Sequence, residues 1–268
     1  MQIFRMYRST LFICIALLSC LPAAAFAWEE DPNICALFKN AQIEGTFVLY
    51  DVSDHRLGGC NQTRAETRYN PASTFKIAHS LIGLSTDAVK SVDEVLPYKG
   101  PTEPFIPEWA HDMGLRKAIK ISNVPIYQEL ARRIGLERMR EGLATLQYGN
   151  QRTGDVVDRF WLDGPLKISA LEQTRFLSGL VQGMLPLPKH VQESVREILL
   201  LEEGSDWKLY GKTGWQNAPG NGIGWLVGWV EKKEGMYVFA LNIDINKPSD
   251  AAERIKLAKE SLKLLGLL

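Results

Sequence analysis

GIGWLVGWVEKKEGMYVFALNIDI, residues 222–245, decides how the fold is read. β-Branched and aromatic residues fill 222–233 and 236–245, and the glycine- and lysine-containing break between them reads as a turn joining two strands. Working outward, DWKLYGKTGW (206–215) carries the same signature just before it. GTFVLYDV (45–52) carries it near the start, followed after a polar turn by HRLGGCNQ (55–62) as a return strand. Strand signals therefore collect at the two ends of the chain. Between them the apolar period turns to 3.6 in FKIAHSLIGL (75–84), SNVPIYQELARRIGL (122–136), LERMREGLATL (136–146), SALEQTRFLSGLVQG (169–183) and KHVQESVREILLLEE (189–203). AERIKLAKESLKLLGLL (252–268) is amphipathic, and DPNICALFKNA (31–41) reads as a short opening helix.

Strands from both ends pair most simply in one antiparallel sheet flanked by helices, with the middle of the chain as an all-helical insertion. The expected fold is α+β, an α-β sandwich. Its sheet-containing part is 28–72 and 203–268, and its helical part is 73–202. The seam between the two parts is a natural cleft.

At that seam lies NPASTFKIAHSLIGL (70–84). Pro71 suits a helix start, and Lys76 follows Ser73 by one turn, so the amine and the hydroxyl share a face otherwise made of apolar residues. A second Ser-x-x-Lys, Ser205 to Lys208, sits beside Gly204 in strand-like context and reads as a surface accident.

The 268 residues carry 31 basic and 31 acidic side chains, which leaves no cationic excess for binding nucleic acid. Residues 1–27 read as a cleaved secretory signal. Arg5 and Arg8 open it, LFICIALLS (11–19) is its apolar core, and Ala25-Phe26-Ala27 offers small residues for cleavage. The apolar stretch is short for a membrane span. The expected location is the periplasm, with a lipoprotein anchored at Cys20 as the minor alternative. Export leaves Cys35 and Cys60, which form either a single disulfide or two buried thiols.

Four further elements carry chemistry. Lys212-Thr213-Gly214 ends a strand, where a cation and a hydroxyl face an anionic group and the glycine permits close approach. Ser122-Asn123-Val124 opens a helix and also reads as an N-cap. Tyr148-Gly149-Asn150 also reads as a turn, and Phe160-Trp161-Leu162-Asp163-Gly164-Pro165-Leu166 as an aromatic loop. The histidines at 55, 79, 111 and 190 are read as structural; His79, six residues past Ser73, is read as turned away from the Ser73–Lys76 face. No cluster has metal-ligand spacing, and no metal is expected.

In this order and spacing the five elements resemble the serine penicillin-recognising enzymes, most closely the class D or oxacillinase-type β-lactamases, and the resemblance spans essentially all of the mature chain. GWLVGWVEK (224–232) and Glu253-Arg254 resemble that family's closing strand and carboxylate-binding arginine. The resemblance implies a β-lactamase/transpeptidase-like fold and a β-lactam substrate opened by the Ser73 nucleophile. It implies Lys76 as a general base carboxylated by carbon dioxide or bicarbonate, with no other cofactor. A lysine enclosed by Phe75, Val124, Trp161 and Leu162 is costly to keep charged, which favours that modification. Trp161 is expected to hold the modified lysine, and Ser122 to relay a proton. The backbone N–H groups of Ser73 and Trp215 would form the oxyanion site, and Lys212, Thr213, Gly214 and Arg254 would bind the substrate. Tyr148 would shape the cleft. A penicillin-binding D,D-peptidase is the rival enzyme, though its second motif usually ends in asparagine where Val124 stands. A β-lactam sensor is the rival from another class, but it would carry several membrane spans. A monomer and a homodimer both fit the chain.

Overall fold

The computed structural model describes residues 28–217 and 222–268. The expected leader (1–27), with the Cys20 alternative, lies outside the described residues. Among the described residues, strands β1 (Trp28–Glu30), β2 (Gly45–Asp51), β3 (Arg56–Cys60), β4 (Leu200–Glu203), β5 (Trp207–Gln216), β6 (Gly222–Lys232) and β7 (Met236–Ile245) form one sheet in the order β1-β3-β2-β7-β6-β5-β4. The antiparallel pairing of β2 with β7, with Phe47 opposite Leu241, joins the two ends of the chain as expected. The sheet is not wholly antiparallel: β1 runs parallel to β3.

Alternation along the central strands explains why helices cover both faces. In β6 and β7, Trp225, Val227, Trp229, Val238 and Ala240 point to one core, and Leu226, Val230, Phe239, Leu241 and Ile243 to the other. The second core is closed by α1 (Pro32–Ala41) and α9 (Asp250–Leu264), through Ile34, Phe38, Leu257 and Leu262. Cys35 and Cys60 are bonded, which ties α1 to the end of β3. The first core is closed by the helices between β3 and β4, namely α2 (Gln62–Glu66), α3 (Lys76–Ser85), α4 (Leu115–Lys120), α5 (Val124–Ile134), α6 (Leu136–Thr145), α7 (Ala170–Val181) and α8 (Lys189–Glu197). Helix α7 starts at a reciprocal cap, Ser169 with Glu172, and lies directly on β2, β6 and β7.

Two local expectations change. The helix read over 189–203 ends at Glu197, and Leu200–Glu203 becomes β4, because its backbone finds partners along β5 in a hairpin closed at Gly204. The return strand read to 62 stops at Cys60, and Asn61 instead caps α2 by accepting from the Arg64 N–H.

Candidate active site

The chain leaves α2, crosses to the sheet at Asn70, and makes a 3₁₀ turn, Ala72–Phe75, before α3 begins at Lys76. Ser73 therefore sits on that turn, just ahead of the helix. The turn is anchored from both sides. The Asn70 side chain accepts the Ala72 N–H at 2.9 Å, and Trp225 Nε1 of β6 donates to the Asn70 carbonyl at 2.9 Å. Ala72 is held left-handed, at φ 46°. A non-glycine residue in that region marks backbone held in place by its surroundings, a feature that clusters at active sites.

Lys76 is fully buried, and its Nζ lies 2.8 Å from Ser73 Oγ. No carboxylate pairs with it among the described residues. Burial first, then the nearby positive charge of Lys212, push its pKa well below the ordinary lysine value. Below the amine, at 5.3 Å, is the Tyr127 ring of α5, whose hydroxyl shares a hydrogen bond with Ser80 at 2.8 Å. Sequence reasoning did not pick out Tyr127; its place three residues after Val124, on the same helix face, was the available signal.

Aromatic rings close the rest of the pocket. Phe75 meets Trp161 at 5.7 Å, Phe160 at 5.2 Å and Tyr148 at 5.5 Å. The Trp161 indole is fully buried, and its N–H has no hydrogen-bond partner among the described residues. A buried donor in that state costs about 1–3 kcal/mol, so it points to a group that the pocket is shaped to receive. The loop bearing Trp161 is bracketed by the Tyr148-Gly149-Asn150 turn. Asn150 Nδ2 donates to the Pro165 carbonyl at 2.9 Å, and its Oδ1 accepts the Lys167 N–H at 3.0 Å. Gly149 has φ 53°, and a Cβ there would lie 2.2 Å from the Lys167 carbonyl, so only glycine fits. Tyr148 itself is fully buried behind Phe75, its hydroxyl donating to Gln173 at 3.4 Å. Leu162 is half-buried against the same core.

His79 is fully buried and not turned away. Counted from Lys76 it is one turn on, and it meets Trp161 at 5.0 Å, Phe75 at 5.3 Å and Tyr127 at 5.3 Å. Ser73 lies on the 3₁₀ turn ahead of α3, so the helical angle that places His79 runs from Lys76 and not from Ser73.

On the sheet side, β5 brings Lys212, Thr213 and Gly214 against the Ser73 turn. A Cβ on Gly214 would stand 2.9 Å from the Pro71 carbonyl and 3.0 Å from Thr74 Cγ2, so the glycine is what lets the strand come this close. Lys212 is buried and donates to the Thr213 carbonyl at 3.0 Å; burial, then the positive Arg254, lower its pKa to about 7. Arg254 of α9 lies over Gly224 of β6, and its Nε has no hydrogen-bond partner among the described residues. Trp215 follows on β5, half-buried, opposite Gly224.

Ser122 is half-buried and also left-handed, at φ 57°. The N-cap of α5 is the next residue, Asn123, whose side chain accepts the Ile126 N–H at 3.0 Å and donates to the Trp109 carbonyl at 3.0 Å. Capping by Asn123 leaves the Ser122 side chain out of the cap, and Val124 begins the helix half-buried. The other Ser-x-x-Lys has the opposite setting: Ser205 and Lys208 are exposed on the β4–β5 hairpin. Cys35 and Cys60 gather with Glu30, but the two sulfurs are bonded to each other.

The geometry has counterparts in known proteins. The family model described as penicillin binding protein transpeptidase domain matches residues 45–263. The chain is 37% identical over 255 residues to β-lactamase OXA-48 of Klebsiella pneumoniae, covering 95% of this chain and 96% of that one. It is 34% identical over 262 residues to β-lactamase OXA-10 of Pseudomonas aeruginosa, covering 96% and 98%. The crystal structure of FUS-1 (OXA-85), a class D β-lactamase from Fusobacterium nucleatum subsp. polymorphum, superposes with a TM-score of 0.86 at 43% identity, over 90% of this chain and all of that one.

Proposed function

The chain belongs to the class D serine β-lactamases and hydrolyses β-lactams, and we propose that it does so through an acyl-enzyme on Ser73 with carboxylated Lys76 as the general base. The observation that carries this reading is the 2.8 Å contact between Ser73 Oγ and the amine of a fully buried lysine that no carboxylate pairs with among the described residues. Burial disfavours the charged form of such an amine, and an uncharged amine adds carbon dioxide. Once added, carbon dioxide supplies an anionic oxygen base in place of a cation. The residues present suit that group, because the unpaired Trp161 N–H is a donor awaiting an acceptor in the same ring-lined pocket.

In this reading Ser73 attacks the lactam carbonyl as its proton passes to Lys76, and the same base then activates the water that frees the acyl group. The backbone N–H groups of Ser73 and Trp215 hold the developing oxyanion. Ser122 carries the proton to the departing lactam nitrogen. Lys212, Thr213 and Arg254 bind the substrate carboxylate, Gly214 admits it, and Val124 and Leu162 wall the pocket over Tyr148. Residues 1–27 direct the chain to the periplasm and are removed. Among the described residues no helix is long and apolar enough to cross a membrane.

Nitrocefin turnover tests the reading. Sustained hydrolysis by the purified mature chain, lost on stripping carbon dioxide and restored by bicarbonate, is the expected result. A single stoichiometric burst would make it a slow-deacylating penicillin-binding protein or a sensor instead.

A further inference from the structure

His79 is a buried titratable group beside Lys76 to which the proposed chemistry gives no part. Its imidazole is fully enclosed by the Phe75, Tyr127 and Trp161 rings, and neither ring nitrogen has a hydrogen-bond partner among the described residues. A neutral imidazole carries one N–H donor and one acceptor. Leaving both unpaired in an apolar cage is a cost that phenylalanine or leucine would avoid at this position. The neighbouring Trp161 N–H is unpaired among the described residues as well, so two unused donors lie on two rings in contact, one of them on α3 one turn from Lys76. A pocket that receives only a neutral amine has no use for a surplus of donors. A pocket that receives an anion does, since a buried anion persists only when hydrogen bonds replace its lost water.

We propose that His79 is a positioning residue for the general base, lending the Lys76 pocket a second uncharged N–H, beside that of Trp161, that favours the carboxylated form of the lysine. The inference rests on the carboxylated-lysine reading above. Neutrality follows from the setting: burial first, then the positive charge of Lys76, push the imidazole pKa well below its ordinary value, so the ring presents an uncharged N–H. Two changes, one slightly larger and one smaller than histidine, separate the nitrogens from the packing. His79→Phe keeps a ring in the cage and removes both polar atoms. His79→Asn keeps a donor and an acceptor and gives up the ring.

The experiment strips carbon dioxide from wild type and both variants, then adds back ¹³C-labelled bicarbonate, reading the carbamate resonance by NMR alongside nitrocefin turnover. His79→Phe is expected to need about tenfold more bicarbonate for half-maximal carbamate signal, the effect of losing one hydrogen bond to a charged group. It should reach near-wild-type turnover at saturation, with a melting temperature at or above wild type. His79→Asn is expected to restore most of the bicarbonate affinity despite the smaller side chain. A His79→Phe enzyme with the wild-type bicarbonate requirement overturns the assignment and leaves His79 a packing residue. If wild type itself shows no carbamate signal while turning over nitrocefin, the lysine reading fails first and takes this inference with it.

Discussion

Replacing Trp161 with phenylalanine removes the indole N–H from the centre of the pocket and leaves a smaller ring in its place. The phenylalanine ring keeps contacts toward Phe75, His79 and Phe160, which lie 5.7, 5.0 and 5.1 Å from the indole. The N–H has no partner within the described protein, so its loss breaks no bond that stabilises the fold. A hydrogen bond to an anion contributes about 1.5–3 kcal/mol, roughly a 10- to 150-fold weaker hold on carbon dioxide. Trp161→Ala is the coarser change, because emptying so large a buried side chain costs about 3–5 kcal/mol of stability and confuses folding with chemistry. The assay is initial nitrocefin rate against bicarbonate after degassing, with thermal unfolding in parallel. Trp161→Phe should fold, show a raised bicarbonate requirement, and recover much of its turnover when bicarbonate is saturating. A folded Trp161→Phe enzyme with an unchanged bicarbonate response would refute the role given to the indole.

Ser73→Ala should abolish turnover while leaving the melting temperature within a few degrees of wild type, since the hydroxyl is half-buried and, among the described residues, bonded only to Lys76; measurable hydrolysis would deny it the nucleophilic role. Lys212 has a folded pKa of about 7, so it is cationic below that and neutral above. KM for a carboxylate-bearing β-lactam should therefore climb as pH rises through 7, and a flat KM from pH 6 to 9 would contradict the assignment. The same lowered value has a stability consequence: between about pH 7 and 10.4 the unfolded chain holds a proton that the folded chain has lost, so Lys212 makes unfolding harder as pH rises through that window. Denaturant unfolding across pH 7–10 would reveal the slope. Replacing Cys35 and Cys60 by serine opens a loop with a sequence separation of 25 and should cost about 3.5 kcal/mol of unfolding free energy. Nitrocefin kinetics at 25 °C should barely change, because the bond ties α1 to β3 away from the Ser73 turn.

The sheet was legible because its central strands alternate so cleanly. Trp225, Val227 and Trp229 against Leu226 and Val230 is a period of two that no helix tolerates. Strand β1 left no such trace: three residues, Trp28–Glu30, with only the first half-buried, carry no period at all. The run Ile198-Leu199-Leu200-Leu201 is ambiguous by composition, and only the partner strand β5 decides that Leu200 begins β4. At the site, motif spacing found Ser73, Lys76, Trp161 and the Lys212 strand because each is tied to a local backbone feature. Tyr127 and His79 escaped because their part is set by rings arriving from three separate elements. The cage of rings that they share exists only once α3, α5 and the Trp161 loop have packed together.

The most direct measurement is a ¹³C NMR spectrum of the active enzyme equilibrated with labelled bicarbonate, with Lys76→Ala as the control. One carbamate resonance, present in wild type and absent from the alanine variant, is the expected result. A wild-type enzyme that turns over nitrocefin yet gives no such resonance would contradict the claim that Lys76 acts in its carboxylated form.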